Sequence, residues 1–197
     1  MQLTASSLAS IRGGREVFAG LNFSLSSGEA LMVTGRNGSG KSSLLRMIAG
    51  LLCVSEGRIV LSDAEAVPAE QAHYLGHQDA IKNSLSVGEN LQFWADYLGS
   101  REAIEPALQA VELMPLAGLP AAYLSAGQRR RLSIARLVAV KRPLWLLDEP
   151  TSALDAPSQK RLAELMRVHL TGGGMIVAAA HGSIGLERTR ELMLGPA

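Results

Sequence analysis

At 197 residues the chain is long enough to bury a sizeable core, and with 47% apolar and 19% charged residues it is not a disordered segment. A formal net charge of +1 supplies no broad basic field, so nucleic acid is not expected as a partner. The one cysteine, Cys53, excludes a disulfide framework and a zinc site built on cysteines; beside Leu51, Leu52 and Val54 it reads as a buried thiol in a reducing cytosol.

Strand-like and helix-like runs alternate along the chain, which suggests α/β layering. The first residues, MQLTASSLASIRGGR, lack the charged start and apolar centre of a signal peptide. Ala30–Thr34 is a short apolar strand that runs into a glycine loop. A helix follows over 41–51, with apolar residues at 44, 45, 48 and 51 and Gly50 near its end. Arg58–Leu61 and His73–Gly76 read as further strands, which makes His73 a strand residue and leaves His77 without an assignment. Ser86 and Glu89 form a capping box that starts a helix running to Leu98. Helices are also expected over Glu102–Leu113, from Gly127 to Val140, and over Pro157–Leu170. A buried strand spans Leu144–Leu147 after Pro143, and a last strand pair covers 175–180 and 191–194. No apolar run approaches the roughly 20 residues that a membrane-spanning helix needs. The expected organisation is one domain, with an α/β core over 1–78 and 141–197 and a helical subdomain inserted over 79–140.

Two stretches carry chemistry. GRNGSGKS, residues 35–42, fits G-x-x-x-x-G-K-[ST] between a strand and a helix start, as a phosphate loop requires. Gly35, Gly38 and Gly40 let backbone N–H groups turn inward around phosphate oxygens, and the helix N-terminus adds its partial positive charge. Lys41 brings a full charge to the β- and γ-phosphates, and the Ser42 hydroxyl suits a magnesium ligand. LWLLDEP ends a buried strand with Asp148 and Glu149, at the carboxyl end where ligand sites of parallel sheets lie. Asp148 can hold Mg²⁺ directly or through water, and Glu149 can polarise an attacking water as a general base. A third stretch, YLSAGQRRRL (123–132), sets Ser125 and Gly127 before a helix and three arginines at the end whose dipole disfavours cations. Arg130 and Arg131 are expected on a solvated face.

These motifs, in this order, resemble the nucleotide-binding subunits of ATP-binding cassette (ABC) proteins. GRNGSGKS resembles Walker A, Gln78 the Q-loop glutamine, LSAGQ (124–128) the signature, LWLLDEP Walker B, SALD (152–155) the D-loop, and His181 the switch histidine. The resemblance implies a P-loop NTPase fold with a parallel sheet, an antiparallel β subdomain and the inserted helical subdomain. It also implies that ATP and Mg²⁺ bind at 35–43, including Arg36, Asn37, Ser39 and Ser43. Ser42, Gln78 and Asp148 would serve the metal, and Glu149, His181 and Gln78 would serve hydrolysis. Two subunits would pack head to tail, with Ser125, Gly127 and Gln128 reaching the partner's γ-phosphate, an anion that offsets some of the arginines' charge. Asp155 would act across that interface, cap the helix that includes Pro157, or do both. Arg12 stands where most such ATPases carry an aromatic that stacks on adenine, and its guanidinium plane can take that role.

Closer similarity, in YLGHQDAIKNSLSVGENLQFW, LSAGQRRRLSIARL and Arg12, is to the haem-exporter ATPase subunits of bacterial cytochrome c biogenesis. That implies a peripheral homodimer docked on integral membrane subunits at the cytoplasmic face of the inner membrane. ATP turnover there would drive release of a haem-loaded chaperone. No Cys-Pro or Cys-x-x-Cys-His element suggests that this chain binds haem itself. The alternatives are an exporter ATPase for another cargo and a soluble ABC ATPase without a transport role. Intact Lys41, Asp148, Glu149 and His181 argue against a non-enzymatic nucleotide-binding module. The absence of an N-K-x-D element argues against a GTPase.

Overall fold

The computed structural model describes residues 1–62 and 67–195. They divide into two units, one of Met1–Gly76, Arg142–Pro150 and Met166–Ala197, the other of His77–Lys141 and Thr151–Leu165.

Two sheets build the first unit. Strands β1 (Gln2–Arg12), β2 (Arg15–Ser26) and β4 (Glu56–Leu61) form an antiparallel sheet in the order β2-β1-β4. Between them in sequence lie β3 (Ala30–Thr34) and helix α1 (Lys41–Ile48). With β5 (Ala72–Leu75), β6 (Leu144–Asp148), β7 (Met175–Ala179) and β8 (Arg190–Met193), β3 forms a parallel sheet in the order β5-β6-β7-β3-β8. Every residue of β6 and β7 is buried, as expected of central parallel strands covered on both faces. A single apolar cluster, including Leu3, Leu25, Val33, Leu45, Leu146 and Val177, joins residues of both sheets with α1. The expected last strand pair is not a pair: β7 and β8 lie on opposite sides of β3.

The hairpin β1–β2 had no counterpart among the elements expected from periodicity. Its sequence hides it: Leu3 and Ala5 point inward, then the register shifts between Ala5 and Leu8, and Leu8, Ala9 and Ser10 are buried in succession. Ser7 sits at φ 49° within that bulge, which moves the inward phase from odd to even positions. Gly13 and Gly14, at φ 57° and 76°, close the turn.

The second unit is helical, with α2 (Val87–Tyr97), α3 (Glu105–Ala110), α4 (Ala126–Ala139) and the start of α5 (Ala156–Thr171). The Ser86–Glu89 capping box opens α2 as the sequence implies. Helix α3 is shorter than the expected 102–113. Pro106 stands at its first turn, where its ring would clash with the carbonyl four residues back in any longer helix. Glu112, at φ 57°, ends the turn on the other side.

Cys53 is exposed, not buried. Leu51 beside it is exposed too, because this run turns away from the end of α1 rather than entering the core.

Candidate active site

The glycine loop leaves β3 and enters α1, so its backbone amides gather at a helix N-terminus. Gly40 is the N-cap at φ 100°, and a Cβ there would come within 2.7 Å of a Val17 methyl and 2.8 Å of the Phe18 ring. The β2 side chains therefore press on the loop so closely that only glycine fits. Lys41 is buried, and its ammonium donates to the carbonyls of Gly35 (2.8 Å) and Arg36 (3.1 Å), which hold it against the loop. The Ser39 hydroxyl is buried with no protein partner.

Asp148 ends β6, 4% exposed, and each of its oxygens accepts a hydroxyl hydrogen bond: Oδ1 from Ser42 (3.0 Å), Oδ2 from Tyr74 (3.4 Å). Among the described residues no cluster of three or more His, Cys, Asp and Glu could hold a metal by itself. Mg²⁺ does not ask for one. It binds through one or two carboxylates, substrate phosphates and water, and the Ser42–Asp148 pair at the phosphate loop suits that requirement.

Glu149 follows at φ 47°, a left-handed conformation unusual for glutamate. Its N–H donates to the Ala179 carbonyl at 2.8 Å, fixing the turn against the end of β7. Two residues beyond Ala179, His181 Nε2 lies 3.7 Å from Glu149 Oε1. An open cleft of about 470 Å³ gathers Asn37, Gly38, Gly40, Lys41, Ser42, Ser43, Asp148, Glu149 and His181, with Arg12 and Val17 also on its wall. Residues 169 positions apart in sequence, Arg12 and His181, thus face one space in the first unit. Gly35, Arg36 and Ser39 belong to the same loop but do not line the cleft.

Gln78, Ser125, Gly127, Gln128 and Asp155 belong to the second unit. Gln78 is exposed. Ser125 is the N-cap of α4: its Oγ accepts from the Gln128 N–H (3.2 Å), while Gln128 Oε1 accepts from the Ser125 N–H (2.8 Å). This reciprocal box sets the direction of the Ser125 side chain. Asp155 does cap the next helix, accepting from the Ser158 N–H at 2.9 Å; hydrogen bonds from Ser158 hold its carboxyl below the usual aspartate value.

The arginines of YLSAGQRRRL are not on a solvated face. Arg129 donates to Asn83 Oδ1 and to the carbonyls of Ala122 and Leu124. Arg130 is 2% exposed and pairs with Asp79 at 3.2 Å. Arg131 donates to the Val111 and Glu112 carbonyls. Each guanidinium ties the start of α4 to a different segment, and those bonds outweigh the dipole. Sequence reasoning also passed over Asp79, whose backbone carbonyl accepts from Ser133 Oγ (2.8 Å), and Tyr74; nothing local marks either residue.

A phosphate loop, a hydroxyl–carboxylate pair and a glutamate–histidine pair in one cleft define a nucleotide-binding protein of the P-loop class. The family described as ABC transporter matches residues 18–152, and the chain belongs to it. It is 58% identical to the cytochrome c biogenesis ATP-binding export protein CcmA of Nitrobacter winogradskyi over 200 aligned residues, covering 100% of both chains. It is 59% identical to the protein of the same name from Rhodopseudomonas palustris strain BisB18, with the same coverage. The solved ATP-binding subunit of an ABC transporter shares its fold with a TM-score of 0.88 at 24% identity, over 98% of this chain and 86% of that one. An ABC transporter ATP-binding protein from Pyrococcus furiosus gives 0.85 at 22% identity over 98% of each. The α/β architecture with a parallel and an antiparallel sheet is therefore that of ABC ATPases.

Proposed function

We propose that this chain is the ATP-hydrolysing subunit of a transporter complex that serves cytochrome c biogenesis, acting as a homodimer on integral membrane subunits. The observation that carries the ATPase reading is the cleft itself, with the Ser42–Asp148 hydrogen bond at its floor and the Glu149–His181 pair at its wall. The phosphate-loop amides and Lys41 bind the triphosphate, and Arg12 on the cleft wall stacks on the adenine. Ser42 and Asp148 would hold Mg²⁺, which would supply charge neutralisation to the triphosphate. Glu149 takes a proton from the attacking water as its oxygen bonds to the γ-phosphorus. The bond to the leaving ADP oxygen breaks on the opposite side. His181 keeps the water and carboxylate aligned. Ser125 and Gly127 of one subunit complete the site of the other, and Gln128 aims Ser125 through the capping box.

The relatives' own description as cytochrome c biogenesis ATP-binding export proteins supports that pathway, with export as the process. Among the described residues no helix is long and apolar enough to cross a membrane, so membrane partners must supply any passage. Exposed Phe93 and Tyr97 on α2, the latter stacked on the former at 6.3 Å, offer such partners an aromatic surface in the helical unit. We place the complex at the cytoplasmic face of the inner membrane, releasing haem-loaded chaperone as ATP turns over.

Glu149→Gln tests the reading. Loss of the general base lowers ATP turnover about 10²–10⁴-fold with nucleotide affinity retained, and ATP then accumulates a dimer detectable by light scattering. Unchanged hydrolysis would overturn the assignment of Glu149. Cytochrome c formation in cells carrying Glu149→Gln tests the pathway: normal holocytochrome levels beside a dead ATPase would redirect the search to another cargo.

A further inference from the structure

Asp148 is held from a second side by a residue that belongs to no nucleotide motif. Tyr74 lies on β5, the strand beside β6, in register opposite Leu146. Its O–H points to Asp148 Oδ2 at 3.4 Å, longer than the roughly 2.5–3.0 Å of a close O–H···O bond, and its oxygen accepts from Arg46 Nε at 3.2 Å. The ring's place is reserved: a Cβ on Gly76 would come within 2.9 Å of its Cε1 and 3.2 Å of its oxygen.

We propose that Tyr74, oriented by Arg46, is a positioning residue that fixes the Asp148 carboxylate for the magnesium–nucleotide complex. Ser42 contacts one oxygen and Tyr74 the other, which sets the plane of the carboxylate. Were the Ser42 oxygen to face a metal, the Tyr74 contact would still orient Asp148. Arg46 acts through Tyr74: its N–H polarises the phenol oxygen and strengthens the phenol as a donor. This inference rests on the reading of the cleft as a magnesium–nucleotide site. Partners at this remove from a metal typically change its affinity by about 10–100-fold when lost.

The test is a titration of Mg²⁺ against binding of a fluorescent trinitrophenyl-ATP to the full chain, with Mn²⁺ binding followed in parallel by electron paramagnetic resonance. Tyr74→Phe, which keeps the ring and removes the hydroxyl, is expected to raise the Mg²⁺ midpoint about tenfold. Affinity for the nucleotide without metal stays within about twofold, and excess Mg²⁺ restores turnover. Gly76→Ala, which displaces the ring but leaves the phenol chemically intact, shifts the midpoint in the same direction. Arg46→Met shifts it less, by about threefold, and adds nothing in a Tyr74→Phe background, as expected of two residues acting in series. A Tyr74→Phe titration that overlays the wild type overturns the proposal. So does an Arg46→Met shift of equal size in both backgrounds. A wild type that binds nucleotide equally well at every Mg²⁺ concentration overturns the reading of the cleft itself, an outcome distinct from either.

Discussion

Replacing Asp79 by asparagine removes a charge from the middle of the second unit while keeping its volume. Arg130, 2% exposed, stands 3.2 Å from that carboxylate. Arg136, stacked over Trp94 at 4.6 Å, is a second buried cation in its field: burial pushes its pKa down to about 10, and Asp79 pulls it back up. Breaking a fully buried ion pair by deleting one partner costs about 3–5 kcal/mol. Asp79 is 25% exposed, so water screens part of the loss, and we expect about 2–3 kcal/mol. At about 2–4 °C per kcal/mol for a chain of this size, Tm falls by about 5–10 °C. The assay is urea unfolding in a Trp145→Phe background, which leaves Trp94 as the only tryptophan and makes its fluorescence report the second unit. Trp145 Nε1 has no hydrogen-bond partner, so phenylalanine there leaves nothing unsatisfied. The double variant Asp79→Leu/Arg130→Met should recover most of the loss, because a packed apolar pair replaces a buried ionic one at little cost. If Asp79→Asn unfolds within about 0.5 kcal/mol of its parent, the ion pair contributes nothing and the reasoning fails.

Two further outcomes are accessible to the same equipment. His169 stacks on Trp145 at 4.0 Å, and burial lowers its pKa below the usual value. Its neutral form favours the fold, so the stability it contributes is complete above about pH 6.5 and is lost as pH falls below that toward the folded value. His169→Phe should flatten that part of a stability–pH curve, and an unaltered slope would assign it to other groups. Gly40→Ala forces a methyl into Val17 and Phe18 at φ 100°, and strain with overpacking together should cost about 2–4 kcal/mol and abolish binding of the fluorescent nucleotide.

The phosphate loop was legible because its chemistry fixes its spacing: glycines, lysine and serine must follow one strand and open one helix, wherever that pair occurs in a fold. Asp148 and Glu149 were legible for a similar reason, as acids at the end of an unbroken apolar strand. The arginines were misread because dipole and charge were weighed within one helix. Asp79, which decides the environment of Arg130, lies 51 residues upstream. Tyr74 carried no signal, since its partners are 28 and 74 residues away and only the order of strands brings them together. Cys53 shows the opposite error: apolar neighbours in sequence do not make an interior when the chain is turning past a helix end. The β1–β2 hairpin escaped because a single bulge inverts the alternation on which strand reading depends.

The left-handed backbone at Glu149 bears on how this protein can change over time. A glutamate in that conformation costs about 1–2 kcal/mol, whereas asparagine visits it readily. The hydrogen bond to Ala179 holds the residue there, and with Glu149 as the proposed base, activity and stability are opposed at this position. A lineage freed from selection for turnover would gain stability by giving up the base, and asparagine at 149 is the exchange it would reach. Position 149 in any related chain can therefore be read as a record of whether hydrolysis is still under selection.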